Sequence, residues 1–454
     1  MPGTSGDEDG RAHTGLPSLD EPVIKFSRTT RAERRRCAVY VMMVAVVALL
    51  SAACGRMLPG VTLSPPLTAL VGGRVQVSPD LDAIADGIVL IERDTITAIG
   101  PRASARIPSG ATVIDSTGAT VVAGFWNSHV HFTQPVWAAA ATAPAPRLGD
   151  ALRAMLTSYG VVHVLDTGSF PDNTEALRRR IESGEIAGPR IMMASGSLVP
   201  VGGSPYYVLP ARLPEASTPA VTATLVDAAL DRGAEGIKLF TGSWASPRSI
   251  VVMPIEIVRA STDAAHRRGK FVIAHPSNSA GARVAIEGGV DILAHTFPSE
   301  LDRRPWDRAL PGMMRERGMA LIPTLKLWPY ELRKAGAPPD VTKRLLGNGQ
   351  EQLQAFAALG GQVLFGTDVG YMTEYDPTDE YVSMHEAGLS YAEILRALTT
   401  APAERFGMAA RTGRLAPGLA ADIVILDGDP ALDIRALARV RSTIRAGRVI
   451  YTNR

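Results

Sequence analysis

Six residues in this chain have the side chains and the order to hold metal ions: His129 and His131, one residue apart, then Lys238, His275, His295 and Asp368. Imidazole and carboxylate ligate divalent cations, and zinc accepts both in open sites that keep a position for water. Such a cation lowers the pKa of bound water and polarises the carbonyl that the water attacks. An isolated His-x-His pair carries little weight, but the order carries more. Four of the seven histidines beyond residue 54 stand at the ends of short apolar runs, and Asp368 does too, behind the Gly366-Thr367 turn.

The elements that must position these residues are legible as a repeat. Eight β-branched or apolar runs, VVAGFW, VVHVLD, RIMMAS, GIKLF, FVIAH, DILAH, MALIPT and QVLFGTD, are each followed by a helix-like stretch. That pattern predicts an α/β fold, a (β/α)8 TIM barrel over residues 123–407, whose strands are buried on both faces. Active sites of such barrels lie at the C-terminal ends of the strands, where the six residues fall. Helix signals agree: Pro254 at a first turn, Gly269 as a stop after Arg267-Arg268, and a capping box from Ser390 to Glu393. Residues 66–122 and 408–454 alternate instead in short strand-like pieces, which predicts one small composite β-sandwich assembled from both chain ends.

Ahead of these lies a leader. Residues 1–30 are rich in Gly, Ser, Thr, Asp and Pro without a period and read as a disordered extension. Residues 31–54 run from Arg31, Arg34, Arg35 and Arg36 through the apolar stretch Cys37 to Ala53 and end on Leu50-Ser51-Ala52-Ala53-Cys54. A basic start, a short apolar core and small residues form an export signal. The ending resembles a bacterial lipobox, with Cys54 as the lipid-bearing residue; an uncleaved signal anchor and ordinary cleavage near Ala53 are the other readings. Each exports the protein to the cell envelope or periplasm, and the first attaches it to a bacterial membrane through lipid. The two cysteines flank this segment, so no disulfide framework is expected. Forty-seven basic and 45 acidic residues leave a charge of +2 with no basic block in the body of the chain, which excludes a nucleic-acid partner. A small-molecule substrate is expected, and a homo-oligomer is compatible with the sequence.

Taken together, Gly124-Phe-Trp-Asn-Ser-His129-Val-His131, Gly236-Ile-Lys238-Leu-Phe, His275, His295 and Phe365-Gly-Thr-Asp368 resemble the amidohydrolase superfamily of metal-dependent hydrolases. Asp166-Thr-Gly and Gly413-Arg-Leu-Ala-Pro-Gly-Leu-Ala-Ala-Asp422 are most similar to its imidazolonepropionase and prolidase-like branch. The resemblance implies two divalent metal ions, zinc above others. One would be held by His129, His131, Asp368 and a CO2-derived carbamate on Lys238, the other by His275, His295 and the same carbamate. It implies hydrolysis of an amide, lactam, peptide-like bond or ester by a metal-bridging hydroxide, with Asp368 as general base and acid.

The chain also departs from these relatives. Gly202-Gly203-Ser204 stands where prolidase-like members commonly have a histidine after two glycines, and His275-Pro276-Ser277 replaces a common His-x-His, so a dipeptidase activity is not carried over. Trp126, Tyr206, Tyr207 and Trp244 are expected near the barrel mouth as an apolar wall for a cyclic or aromatic group. A mononuclear deaminase or lactam hydrolase is the alternative within enzymes; a non-catalytic, solute-binding surface lipoprotein is the alternative outside them. Each ligand also has a plain counterpart: core histidines, a helix N-cap for Asp368, a snorkelling or ion-paired Lys238. His163, inside an apolar run, reads as structural.

Overall fold

The computed structural model describes residues 67–297 and 300–453; the extension 1–30, the leader 31–54 and Cys54 lie outside the described residues. Among the described residues no helix is long and apolar enough to cross a membrane. The chain opens with β1 (Leu67–Val71), β2 (Arg74–Val75), β3 (Gly87–Glu92), β4 (Thr95–Pro101), β5 (Thr112–Asp115) and β6 (Ala119–Ala123). Four of them form a sheet in the order β4-β3-β1-β5. β2 and β6 pair with each other in a different sheet.

The next strands build the scaffold that carries the candidate ligands. They are β7 (Phe125–Val130), β8 (Val161–Asp166), β9 (Arg190–Leu198), β10 (Gly236–Phe240), a hairpin of β11 (Gly242–Ser246) and β12 (Ser249–Val252), then β13 (Phe271–His275), β14 (Ile292–Ala294), β15 (Ala320–Ile322) and β16 (Gln362–Val363). The eight strands other than the hairpin form one sheet in the order β7-β8-β9-β10-β13-β14-β15-β16, every ladder parallel. This is the expected α/β arrangement with an eight-stranded, curled parallel sheet. Its two ends are joined by backbone hydrogen bonds: Ser128 N to Phe365 O at 2.7 Å, Asp368 N to His129 O at 2.9 Å and His131 N to Val369 O at 2.8 Å. Helix ends follow local chemistry. The Ser390–Glu393 capping box is present, Gly269 stops its helix at φ +65°, and Pro254 sits one residue before its helix instead of inside the first turn.

At the C-terminus β17 (Ile423–Asp427), β18 (Val440–Arg445) and β19 (Arg448–Thr452) complete the second sheet, in the order β19-β18-β17-β6-β2. β6 and β17 have side chains in two cores. Val121, Ala123, Ile423 and Ile425 pack with the four-stranded sheet, while Val122, Val424 and Leu426 join the large core of the eight-stranded unit. A sheet covered on both faces reads as a continuous apolar run, like a barrel strand. This overturns one detail of the expected pattern: VVAGFW is not one strand. Val121, Val122 and Ala123 belong to β6, and the first strand of the eight begins at Phe125, after Gly124. A Cβ on Gly124 would lie 2.3 Å from Val162 Cγ2 and 3.2 Å from the backbone of Asp422, so the two units meet there with no room for a side chain.

A second correction concerns Trp126. It is completely buried near the start of β7, away from the strand's C-terminal end, and stacks on His163 at 4.4 Å and on Phe406 at 5.5 Å. An indole flanked by apolar runs gains more from this packing than from a wet mouth. His163 in turn lies 2.9 Å from Asp422 Oδ2, whose other oxygen accepts from Ala446 N at 2.8 Å. Burial opposes ionisation of Asp422, but the hydrogen bond and charge of His163, with the Ala446 amide, hold the carboxyl below its ordinary value. Its stabilisation is therefore present above the unfolded carboxylate pKa and lost as pH falls through the folded one. Asp422→Ala should cost about 3 kcal/mol in urea denaturation at pH 7, and the gap to the wild type should narrow in acid.

Candidate functional site

All six sequence-identified ligand residues converge at the C-terminal ends of the parallel strands. His129 lies in β7 and His131 just beyond it, Lys238 in β10, His275 ends β13, His295 follows β14, and Asp368 sits on the segment after β16. Asp368 Oδ1 is 3.0 Å from His131 Nε2 and 3.5 Å from His129 Nε2. Ligand atoms of these three residues lie within 4.8 Å of one another. Ring centroids of His129 and His295, and of His295 and His275, are each 4.6 Å apart, which extends the cluster to its second half.

The donor atoms are set up as ligands. Both ring nitrogens of His129 and Nε2 of His275 are buried without a hydrogen-bond partner. Orphaned buried nitrogens are uncommon and call for an explanation; a cation among them is a chemically matched one. Thr324 Oγ1 lies 2.6 Å from His295 Nδ1 and 2.9 Å from Pro323 O, a contact that holds the Nδ1 edge of the ring and leaves Nε2 as the edge available to the site. Burial, followed by the Lys238 charge, holds His129 and His275 well below the ordinary imidazole value; burial, then His275 and Lys238, does so for His295. Lys238 is itself pushed down to about 8 by burial, against the pull of Asp368 and Asp166. Neutral imidazoles and an amine easily deprotonated are the forms that bind metal or take up CO2.

The backbone carries strain to present these groups. His295, Thr324 and Asp368 have φ of +75°, +46° and +64°, in a region non-glycine residues rarely enter. Gly370, at φ +96°, lets the turn after Asp368 press on β7: a Cβ there would lie 1.6 Å from His131 O.

Several supporting residues escape motif reading. Asn127 is buried and donates to Thr367 Oγ1 at 2.7 Å, while its oxygen accepts from Thr367 N at 3.2 Å and His129 N at 3.3 Å. It clamps the two ligand-bearing segments together. The available signal was its strand period, since Asn127 and His129 share a face. Asp166 accepts from Ser169 Oγ at 2.6 Å and Thr174 Oγ1 at 2.7 Å, and Ser169 Oγ accepts from Phe132 N at 2.6 Å, which orders the loop beside His131.

Of the expected aromatic wall, Tyr206 and Tyr207 pack edge to face at 5.5 Å, and Tyr207 meets Tyr371 at 5.7 Å. Tyr371, which was not singled out in the sequence, donates to Glu331 Oε1 at 3.0 Å. Trp244 is half-buried in the β11–β12 hairpin and, among the described residues, shares no ring contact with these tyrosines.

Residues 120–450 match the model of the amidohydrolase family. The chain is 24% identical over 387 residues to amidohydrolase tasK of Hapsidospora irregularis, covering 76% of this chain and 38% of the relative. It is 25% identical over 219 residues to the ochratoxinase of Aspergillus niger, covering 45% of this chain and 43% of that protein. The chain thus spans less than half the length of these curated relatives. A solved structure of a putative prolidase from Bifidobacterium longum superposes with a TM-score of 0.71 at 26% identity, covering 85% of this chain and 94% of that one.

The clamp at Asn127 is testable by itself. Asn127→Ala should lower stability by about 2 kcal/mol in denaturant titration, because it strands Thr367 and the His129 amide in a buried seam. It should also weaken zinc binding in competition with a chromogenic chelator, whereas an unchanged zinc affinity would separate the clamp from the site.

Proposed function

The chain belongs to the amidohydrolase family, and from that membership we propose that it is an exported, metal-dependent hydrolase of C–N bonds in amides or lactams, or of esters. The observation that carries this reading is the convergence of four histidines, Asp368 and Lys238, three of whose buried imidazole nitrogens lack any other partner. His129, His131 and Asp368 would hold one divalent ion and His275 and His295 a second, with a carbamate on Lys238 shared between them. Zinc suits these donors. When bound, the ions would supply a nucleophilic water at neutral pH and polarise the scissile carbonyl.

The chain's own groups account for the rest. Asp368 Oδ1, beside His131 and His129, would accept a proton from the attacking water and return it to the leaving nitrogen or oxygen. Neutral His129, His275 and His295 keep their lone pairs available. Asn127 and Thr324 fix the ligands' orientation, and burial of the cluster keeps bulk water from screening it. The amidohydrolase, ochratoxinase and prolidase names of the similar proteins support a hydrolase. The run from Arg31 to Cys54 supports export with lipid attachment at Cys54, in a cell envelope.

The tight trio of His129, His131 and Asp368 also favours a mononuclear reading, so the two are set against each other. Purified protein should carry close to two metal equivalents by elemental analysis. His129→Ala and Asp368→Ala should each lose at least about 10³-fold in turnover of any amide, lactam or ester found in a substrate panel. One tightly held ion with near-normal activity in Lys238→Ala would support the mononuclear alternative, and a fully active metal-free wild type would sink both.

Carbamate formation on Lys238 needs the neutral amine. With Lys238 pushed down to about 8, the neutral fraction rises steeply between pH 7 and 9. Apoprotein incubated with 13C-bicarbonate at fixed dissolved CO2 should show a carbamate resonance that grows over that interval and is missing in Lys238→Ala.

A further inference from the structure

We propose that Tyr207 contacts the substrate: its phenol donates a hydrogen bond to a substrate oxygen and, with Tyr206 and Tyr371, selects an uncharged, ring-bearing group over one that carries a carboxylate. The proposal rests on the metal-dependent reading above and adds a residue and a substrate class to it.

Topology places the residue. Tyr207 follows β9, the third strand of the curled sheet, and Tyr371 follows Asp368 at the eighth; in sheet order β8 and β7 stand between them. Their rings are nevertheless 5.7 Å apart. The loop after β9 therefore reaches over the strand ends where His129, His131 and Asp368 meet. Its near side is anchored as well, by Ser243 Oγ donating to Gly203 O and by Leu213 N donating to Ser204 Oγ at 3.1 Å. The ring is thus fixed before a ligand arrives, which reduces the entropy lost on binding.

The hydroxyls of the two tyrosines differ. Tyr371 spends its proton on Glu331. The Tyr207 hydroxyl has no hydrogen-bond partner among the described residues and is not sealed from solvent. A half-buried tyrosine ordinarily finds a partner for its polar tip, so this donor is left for a ligand. Burial first, then the charges of Asp368 and Glu331, keep the phenol protonated.

The same surroundings decide the substrate's charge. The carboxylates acting on Tyr207 are Asp368 and Glu331, and the cations beside the tyrosines are already engaged. Lys334 lies 3.5 Å from Glu331 and Arg333 lies 2.6 Å from Glu374. A substrate carboxylate placed at the tyrosines would give up water without meeting an unpaired cation of the described residues there. A neutral carbonyl or ether oxygen on an aryl or cyclic group would meet a donor and three aromatic faces.

The test uses zinc-loaded full-length protein and benzohydroxamic acid, an uncharged aryl probe with a metal-binding head, titrated by calorimetry. Tyr207→Phe keeps every ring contact and should weaken binding about 3- to 10-fold at unchanged zinc content. Tyr207→Ala should weaken it further. The wild type should bind 4-carboxybenzohydroxamic acid at least about 10-fold more weakly than the uncharged probe. Equal affinity of wild type and Tyr207→Phe, equal or tighter binding of the carboxylated probe, or no binding to protein that retains zinc would each overturn the proposal. Protein that retains no zinc would show by elemental analysis that the underlying metal reading has failed, and the proposal would fall with it.

Discussion

Six ionisable side chains share one poorly hydrated end of a parallel sheet, and the rest of the molecule is organised around that cost. His129 is 0% exposed, Lys238 1% and Asp368 5%. Burying a charge or an unpaired polar atom is expensive unless a partner compensates. Here burial drives His129, His275 and His295 neutral and brings Lys238 down to about 8, which leaves their lone pairs available. A bound cation would convert that burden into coordination, and among the described residues no group hydrogen-bonds the ring nitrogens of His129 or Nε2 of His275.

The site and the joint between the sheet's ends depend on each other. β16 has only two regular strand residues, so the sheet is joined end to end beyond it, through the backbone bonds of Ser128, His129, His131, Phe365, Asp368 and Val369. Three of those residues, His129, His131 and Asp368, are candidate ligands, and Ser128 and Val369 adjoin two of them. Asn127 reinforces the joint, and Gly370 permits it. Regular pairing would have turned Asp368 along the ladder; its left-handed backbone turns it into the site. The strain persists because the surrounding hydrogen bonds over-determine it.

Metal-ligand types at the ends of apolar runs were legible because a parallel strand covered on both faces is apolar throughout and stops where it meets the mouth. β8, β10 and β13 begin and end as read. The first run misled for the same reason. β6 is buried between two cores and so looks like a barrel strand, although it pairs with β17. Trp126 was placed at the mouth by its closeness in sequence to His129, yet three residues of strand, at about 3.3 Å each, carry it far below. Tyr371 and Glu331 were invisible because their partnership joins residues 40 apart, one on the helix Leu327–Lys334 and the other on the turn after Asp368.

The chain by itself carried the candidate ligands, since only certain side chains can ligate a dication, and the architecture, since alternating strand-like and helix-like runs permit few packings. It also carried Ser204 and Ser277 at places where the family resemblance implies histidines. Tertiary structure alone decided which polar groups lack partners, which edge of His295 Thr324 occupies, and that the loop after the third strand lies against the turn after the eighth. Hydrogen bonds and burial are properties of atoms brought together by folding. Residue type and spacing state what each group is able to do, whereas the distance between distant segments decides what it is left free to do.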